Sequence, residues 1–447
     1  MLFRSSAQAA LPAPGLLAGQ LERSLPFALT AAQRRVAAEI AGDLAQSSPM
    51  QRLLQGDVGC GKTVVAALAA CQAIEAGYQV ALMAPTEILA EQHFLKLRGW
   101  LEPLAVEVLW LTGSLAGKLK RQRQQQAATS AQLIVGTHAL IQERIDFSRL
   151  GLIIVDEQHR FGVRQRLALR RKGGNPHQLM MSATPIPRTL AMSYYADLDV
   201  SLIDQMPPGR TPVRTRLFST ARRAQVVAAV RAAVAGGRQA YWVCPLIEGS
   251  EKVDLQPALD TYAALSAELV DLRIGLVHGR LRSEEKAAVM AAFVAGEIDL
   301  LVATTVIEVG VDVANASLMV IEHAERFGLA QLHQLRGRVG RGAHESVCVL
   351  LYQPPLSASA RARLKIIFEH DDGFEIARQD LRLRGPGEFV GSRQSGEPLL
   401  RHADLESDVD LVELAQAMAV QLLRDRPQDA GRHLQRWLGE REDLLRA

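Results

Sequence analysis

The strongest constraint on this chain is a series of short apolar runs that do not alternate with polar residues. In the first half they are Gln79–Ala84, Val106–Leu111, Gln132–Gly136, Gly151–Val155 and Gln178–Ser182. A strand with one wet face alternates, whereas a strand buried on both faces reads as a continuous apolar run. Longer helical stretches separate the runs, which is the pattern of a parallel sheet covered by helices. The second half repeats it at Gln239–Val243, Arg273–Val277, Leu300–Ala303, Leu318–Ile321 and Val347–Leu351. Between the two series, Asp204–Pro212 holds three prolines and a glycine, which continue neither a helix nor a central strand, so a linker is expected there. The expected fold class is α/β, with two parallel-sheet domains in tandem.

After Pro354–Pro355 the pattern becomes mostly helical. Phe374, Ala377 and Leu381 share one helix face, and Leu411, Leu414, Met418 and Leu422 form another stripe. Both stripes are expected to pack into a core. Glycine and proline at Gly385-Pro386-Gly387 should end the first of these helices. A chain of 447 residues with 48% hydrophobic content is too long for one ordinary core. The boundaries expected are a linker or residual helix at 1–24, a first domain at 25–206, a second at 207–355 and a helical region at 356–447.

Composition excludes little. A formal net charge of +3 neither demands nor forbids a nucleic-acid partner, so a binding face must come from local clusters such as Lys118–Arg123 and Arg160–Lys172. Aromatic residues make up only 5% of the chain and Phe161 alone falls within those clusters, which favours backbone tracking over base stacking. Cys60, Cys71, Cys244 and Cys348 have no metal-ligand spacing and read as reduced cytosolic thiols. No apolar run reaches bilayer length, so no membrane partner is expected.

Three motifs carry chemistry. Gly56-Asp-Val-Gly-Cys-Gly-Lys-Thr63 matches the phosphate-binding loop G-x-x-x-x-G-K-[ST] throughout. Gly56, Gly59 and Gly61 let backbone N–H groups converge on one phosphate chain, Lys62 can reach its outer phosphates, and Thr63 can offer a hydroxyl to Mg²⁺. Second, the apolar run from Gly151 ends in Asp156 and Glu157. Asp156 would hold Mg²⁺ through its water shell, and Glu157 would orient and deprotonate an attacking water. Third, Gln331–Gly342 interleaves arginine with glycine. Arg338 and Arg341 are three apart and share a helix face, where their guanidinium forks suit a triphosphate held by the other domain.

Read together, these motifs resemble the superfamily 2 helicases over almost the whole chain. The resemblance implies RecA-like domains, ATP with Mg²⁺ as cofactors, and a nucleic-acid track. Phe27–Gln33 looks like the adenine-reading glutamine motif, with Phe27 and Gln33 its functional positions. Thr86 in Ala84-Pro-Thr-Glu87 and Thr137 in Gly136-Thr-His138 fall in strand-contacting motifs. Ser182 and Thr184 lie in the motif that couples hydrolysis to domain movement. His278–Arg280, Thr304 in Ala303-Thr-Thr305, and Gly310 and Asp312 in Glu308–Asp312 match motifs of the second domain.

A narrower match is carried by Asp156-Glu-Gln-His-Arg-Phe-Gly162, Ala183–Thr189 and Gln334–Arg341. It resembles the branch that contains RecG, the transcription-repair coupling factor and the primosomal helicase PriA, and it implicates His159 and Gln334 in coupling. Gly373–Glu388 with Gly391–Gly396 looks like the translocation motif that RecG shares with the coupling factor, and the Arg384-Gly-Pro-Gly-Glu388 wording is nearest RecG. The RecG resemblance implies a helical hairpin and loop that relay domain closure to duplex DNA, with Arg382, Arg384 and Gln394 as the relay. It further implies a cytoplasmic, monomeric, DNA-stimulated ATPase acting on replication forks or Holliday junctions in recombination and repair. Paired zinc sites of the PriA type cannot be built from the four scattered cysteines. The alternatives are the motor of a coupling factor, or a truncated DNA-dependent ATPase without junction specificity. Proteins of the RecG type carry an N-terminal wedge domain that binds branched DNA. Here the glutamine motif begins near residue 27, so the expectation is a fragment, a separately encoded motor or a truncated product without that domain.

Overall fold

Apolar β-rich segments pair in parallel wherever both of their faces are covered by helices, and this chain does so twice. A computed structural model describes residues 10–12, 15–113, 117–142, 144–183, 198–208, 212–245, 256–304, 313–340, 342, 344–384 and 409–438. The first sheet contains β1 (Gln51–Gly56), β2 (Gln79–Met83), β3 (Val108–Leu111), β4 (Leu133–Gly136), β5 (Leu150–Val155), β6 (His177–Ser182) and β7 (Asp199–Ile203). Its order is β3-β4-β2-β5-β6-β1-β7, every pairing parallel. Alternate residues of the apolar runs serve opposite faces. Val80, Leu82, Leu152, Ile154, Leu179 and Met181 join the core under the helices Ala31–Leu44 and Lys62–Glu75. Ala81, Met83, Ile134, Ile153 and Val155 join the core on the other side, with Leu169 of the helix Val163–Arg171.

The second sheet contains β8 (Val213–Ser219), β9 (Gln239–Val243), β10 (Ile274–Val277), β11 (Leu300–Ala303), β12 (Ala316–Ile321) and β13 (Ser346–Tyr352). Its order is β10-β11-β9-β12-β13-β8, again wholly parallel. This is the order of the first sheet with β7 removed. The repetition reaches single residues. Gln79 opens β2 and donates its amide N–H groups to the carbonyls of Ala127 and Ala131, at 2.8 and 2.7 Å. Gln239 opens β9 and does the same to Phe293 and Ile298, at 2.6 and 2.7 Å. Each buried amide thereby ties the end of a crossover helix to the start of a central strand.

Three strands fall outside the apolar runs. β1 has only Leu53 and Leu54 as large apolar residues, although both are buried. β7 and β8 are sheet edges. β8 alternates Arg214 and Arg216 with less exposed neighbours because one of its faces is wet. Of the expected linker, 204–208 carries no helix or strand, and 209–211 lie outside the described residues. Residues 1–24, expected as linker or residual helix, include the helix Leu16–Ser24. Its first backbone N–H groups, from Gly15, Leu16 and Leu17, donate to the Glu75 carboxylate, and Leu11 and Leu21 are fully buried.

The C-terminal helices are Ala358–Glu369, Gly373–Arg384, Val409–Asp425 and Pro427–Leu438. The first two form a hairpin against the helix Leu329–Arg336 of the second sheet's core. Two expectations are corrected here. On Gly373–Arg384 the buried residues include Ile376, Asp380 and Leu381, while Phe374 and Ala377 are half-buried. Leu411, Leu414 and Met418 are 58%, 56% and 60% exposed, so that stripe is not a core face. Among the described elements its helix packs against Pro427–Leu438.

Candidate active site

β1 delivers the chain to Gly56, and the helix Lys62–Glu75 begins six residues later. The turn between them needs left-handed backbone at Gly59 and Gly61, with φ of 82° and 92°. At Gly61 a Cβ would also stand 2.2 Å from Nε2 of Gln33. Gln33 is buried at the start of the helix Ala31–Leu44. Its Oε1 accepts from the Thr30 N–H at 2.9 Å, and its Nε2 donates to the Cys60 carbonyl at 2.8 Å. The predicted adenine-reading glutamine therefore also braces the phosphate loop. Phe27 is 43% exposed and meets Trp100 edge-on at 6.3 Å. Lys62 Nζ donates to the carbonyls of Gly56 and Asp57, at 2.6 and 3.1 Å. Thr63 sits half-buried in the first turn of the helix, one residue on.

Asp156 and Glu157 follow β5 directly, and Glu157 turns the chain with φ of 49°. Asp156 Oδ2 accepts a hydrogen bond from His93 Nε2 at 2.7 Å, and its Oδ1 accepts the Glu157 N–H at 2.9 Å. Burial pushes the Asp156 carboxyl up, but the His93 hydrogen bond and the Lys62 charge outweigh it, so the group lies below the ordinary carboxylate range. Glu157 goes the other way. Burial and the Asp156 charge raise it, and Lys62 and Arg338 only partly oppose them. Two adjacent carboxyls are thus driven apart, Asp156 toward its ionised form and Glu157 toward its protonated form. The Arg338 charge that acts on Glu157 comes from the other sheet.

That approach depends on a close contact. The helix Leu329–Arg336 ends at Gly337, where a Cβ would stand 2.8 Å from Val58 Cβ of the phosphate loop. Gln334, Arg336 and Arg338 are all buried. His333 Nε2 lies 2.6 Å from Asp57 Oδ1, across the cleft. Arg336 donates to the carbonyls of Ile367, His370 and Asp371, at 2.9, 2.8 and 3.1 Å. Arg341, Gly310 and Asp312 lie outside the described residues.

The residues predicted for coupling divide in the same way. Thr86 caps the helix Glu87–Leu101, accepting the Leu89 N–H at 3.3 Å. Thr137 follows β4 and Thr304 follows β11, the matching strand of the second sheet; both hydroxyls are buried without a partner among the described residues. Ser182 ends β6 and is buried. Arg382 is exposed on Gly373–Arg384. Thr184, Gln394 and the side chains of His159 and Arg384 fall outside the described residues. Sequence reasoning missed His93, His333, Arg336 and Asp57. A histidine in an amphipathic helix carries no mark of a carboxylate 63 residues away, as His93 has in Asp156. Arg336 does carry a signal, because a charged residue sits between Leu335 and Gly337 in a motif whose other arginines had been assigned roles.

Three family comparisons match in order along the chain: DEAD/DEAH box helicase over residues 30–193, helicase conserved C-terminal domain over 225–343, and ATP-dependent DNA helicase RecG, domain 3, C-terminal, over 370–435. The chain is similar to the ATP-dependent DNA helicase RecG of Acidithiobacillus ferridurans, 57% identical over 94% of this chain and 61% of that protein. It is similar to that of Escherichia coli strain K12, 55% identical over 97% of this chain and 63% of that protein. A structure of RecG bound to a three-way DNA junction matches with a TM-score of 0.75 and 46% identity, over 91% of this chain and 53% of that one. Yeast Dbp5 bound to RNA and ADP-beryllium fluoride shares the fold, with a TM-score of 0.61 at 16% identity. The chain spans about three-fifths of the length of the curated relatives it matches.

Proposed function

The chain belongs to the RecG family of superfamily 2 helicases, and on that premise we propose that it hydrolyses ATP to drive movement along duplex DNA. The observation that carries the reading is the contact of the second domain with the phosphate loop, where His333 Nε2 lies 2.6 Å from Asp57 Oδ1 and a Cβ at Gly337, next to Arg338, would stand 2.8 Å from Val58 Cβ. Such a site is complete only when the two domains meet, so closing and reopening it converts hydrolysis into relative domain motion.

The residues fit the groups the chemistry requires. The left-handed turns at Gly59 and Gly61 suit a backbone cradle for phosphate, with Gln33 packed where a Cβ of Gly61 would stand, and Asp156 and Thr63 supply the oxygen donors a hard divalent cation prefers. Among the described residues no cluster of three His, Cys, Asp or Glu could hold a metal alone, which suits an ion shared with phosphate oxygens. Bound Mg²⁺ would neutralise charge on the transferred phosphoryl group. Lys62 would exchange the carbonyls of Gly56 and Asp57 for the outer phosphates. His93 keeps Asp156 ionised and oriented. Glu157 takes a proton from the attacking water, and Arg338, with Arg341, stabilises charge across the cleft. Thr86, Thr137 and Thr304 would meet the DNA backbone, and Arg382, Arg384 and Gln394 would transmit closure to it. The DNA fitting the family is branched, a fork or a Holliday junction, and the process is branch migration or fork reversal in recombination and repair.

The test is ATP turnover with linear duplex, single strand, fork and four-way junction, for the chain and for Lys62→Ala. DNA-stimulated turnover should vanish in the variant, and branched DNA should stimulate the wild type above linear duplex. Turnover retained by Lys62→Ala would end the hydrolysis assignment. Equal stimulation by all duplexes would end the branched-DNA assignment while leaving the motor.

A further inference from the structure

We propose that His333 is the positioning residue that couples the phosphate loop to the C-terminal helical hairpin, an inference that rests on the nucleotide-driven motor reading above. Its ring touches both sides. Nε2 lies 2.6 Å from Asp57 Oδ1, inside the phosphate loop, and Nδ1 lies 3.0 Å from Arg336 Nη2. Arg336 in turn holds the carbonyls of Ile367, His370 and Asp371, which join the helices Ala358–Glu369 and Gly373–Arg384. Three side chains thus connect the loop to the base of the hairpin that carries Arg382.

The hydrogen-bond chemistry fixes the direction of the link. A guanidinium only donates, so His333 Nδ1 must accept from Arg336. The ring hydrogen is then on Nε2 and is donated to the Asp57 carboxylate. A bridge between a guanidinium and a carboxylate needs an acceptor at one end and a donor at the other, and a neutral imidazole supplies both. The His333 side chain is 6% exposed and Asp57 17%, so water does not readily replace these bonds.

The loop end of the link is placed to move. Besides its local bonds from the Val58 and Cys60 N–H groups, Asp57 is gripped by Lys62 at its carbonyl and by His333 at its carboxylate. When Lys62 turns to phosphate, the first grip is released while the second persists, so displacement of Asp57 passes to His333. Arg336 hands that displacement to the backbone at Ile367–Asp371. Because the helix ends here are held by one buried guanidinium, a shift at its head tilts the hairpin rather than dissipating in a loop.

The experiment uses the full chain and three variants. His333→Leu removes both bonds and keeps an apolar volume. His333→Gln restores an acceptor and a donor in the same order. Asp57→Asn weakens the link from the loop side. The first readout is hydrogen exchange of the Gly373–Arg384 amides with and without the non-hydrolysable analogue AMP-PNP and Mg²⁺. The nucleotide should change their protection in the wild type and in His333→Gln but not in His333→Leu. The second is displacement of a triplex-forming strand from linear duplex per ATP hydrolysed. It should fall about tenfold in His333→Leu, with Asp57→Asn adding nothing further in the double variant. A nucleotide effect on the hairpin that survives His333→Leu, its absence in the wild type, or failure of His333→Gln to restore it overturns the proposal. Wild-type exchange that responds to nucleotide while no triplex is displaced overturns the motor reading instead.

Discussion

Gly337 shows how much one missing atom decides. A Cβ there would stand 2.8 Å from Val58 Cβ and 3.1 Å from both of its methyl carbons, and these belong to the branch of a buried side chain that cannot rotate away. The glycine thereby sets how closely the helix end beside Arg338 approaches the phosphate loop. Gly337→Ala should separate the two and lower the maximal rate of DNA-stimulated ATP hydrolysis by about ten- to a hundredfold, since misplacement by about 1 Å costs that much at a preorganised site. Thermal melting should change little, because the contact joins two surfaces and supports neither sheet's core. A variant that turns over normally would show that the cleft tolerates the extra carbon. The same scale explains what could not be read ahead. The glycine was visible between Arg336 and Arg338, but its reason, the loop valine opposite, was not.

Among elements, the strand–turn–helix unit recurs with its chemistry replaced. β5 runs into Asp156-Glu157 and a short turn, then Gly162 opens a helix; β12 runs into Glu322-His323 and a short turn, then Gly328 opens one. Glu157 and His323 both adopt left-handed backbone, with φ of 49° and 51°. In the first copy Asp156 meets His93 from the helix after β2. In the second, Glu322 accepts from Thr261 of the helix after β9 and from Trp242, at 3.1 and 2.9 Å, with Arg223 3.7 Å away. The first copy holds its carboxylate by one histidine, and the second ties the equivalent group to a tryptophan and a threonine. The paired glutamines give a test at this scale. Gln239→Leu leaves the carbonyls of Phe293 and Ile298 without their donor in a buried site, at a cost of about 1–3 kcal/mol. The chemical-denaturation midpoint should fall, and hydrogen exchange should localise the loss to the second sheet. Loss confined to the first sheet would contradict the assignment.

At the scale of the molecule, two separately cored sheets meet at the phosphate loop, and no helix among the described residues is long and apolar enough to cross a membrane. Each domain keeps its own electrostatic ties. Asp299 takes the backbone N–H, Nε and Nη2 of Arg273, which hold its carboxyl below the ordinary carboxylate range. A carboxyl with a depressed folded pKa stabilises the fold above its unfolded value, near about 4. That contribution is lost as pH falls through the depressed value. Acid titration of stability should therefore show a component that Asp299→Asn removes, with stability near neutrality falling by that same component. An unchanged acid limb would mean the pair is screened by solvent.

The sequence by itself determined the two parallel sheets, because runs such as Gly151–Val155 lack the alternation a wet face imposes, and it marked the phosphate loop, because glycine adopts the left-handed backbone at Gly59 and Gly61 without steric cost. It left the edge strand β8 unread, since Arg214 and Arg216 interrupt its apolar pattern where one face meets solvent. It also misassigned the Leu411–Met418 stripe, since periodicity reports an apolar face without saying whether anything covers it. Only the tertiary structure decided the pairings between distant residues, His93 with Asp156 and His333 with Asp57, 276 positions apart in the second case. Local spacing encodes which face a side chain occupies; what stands opposite that face is set by how the sheets meet.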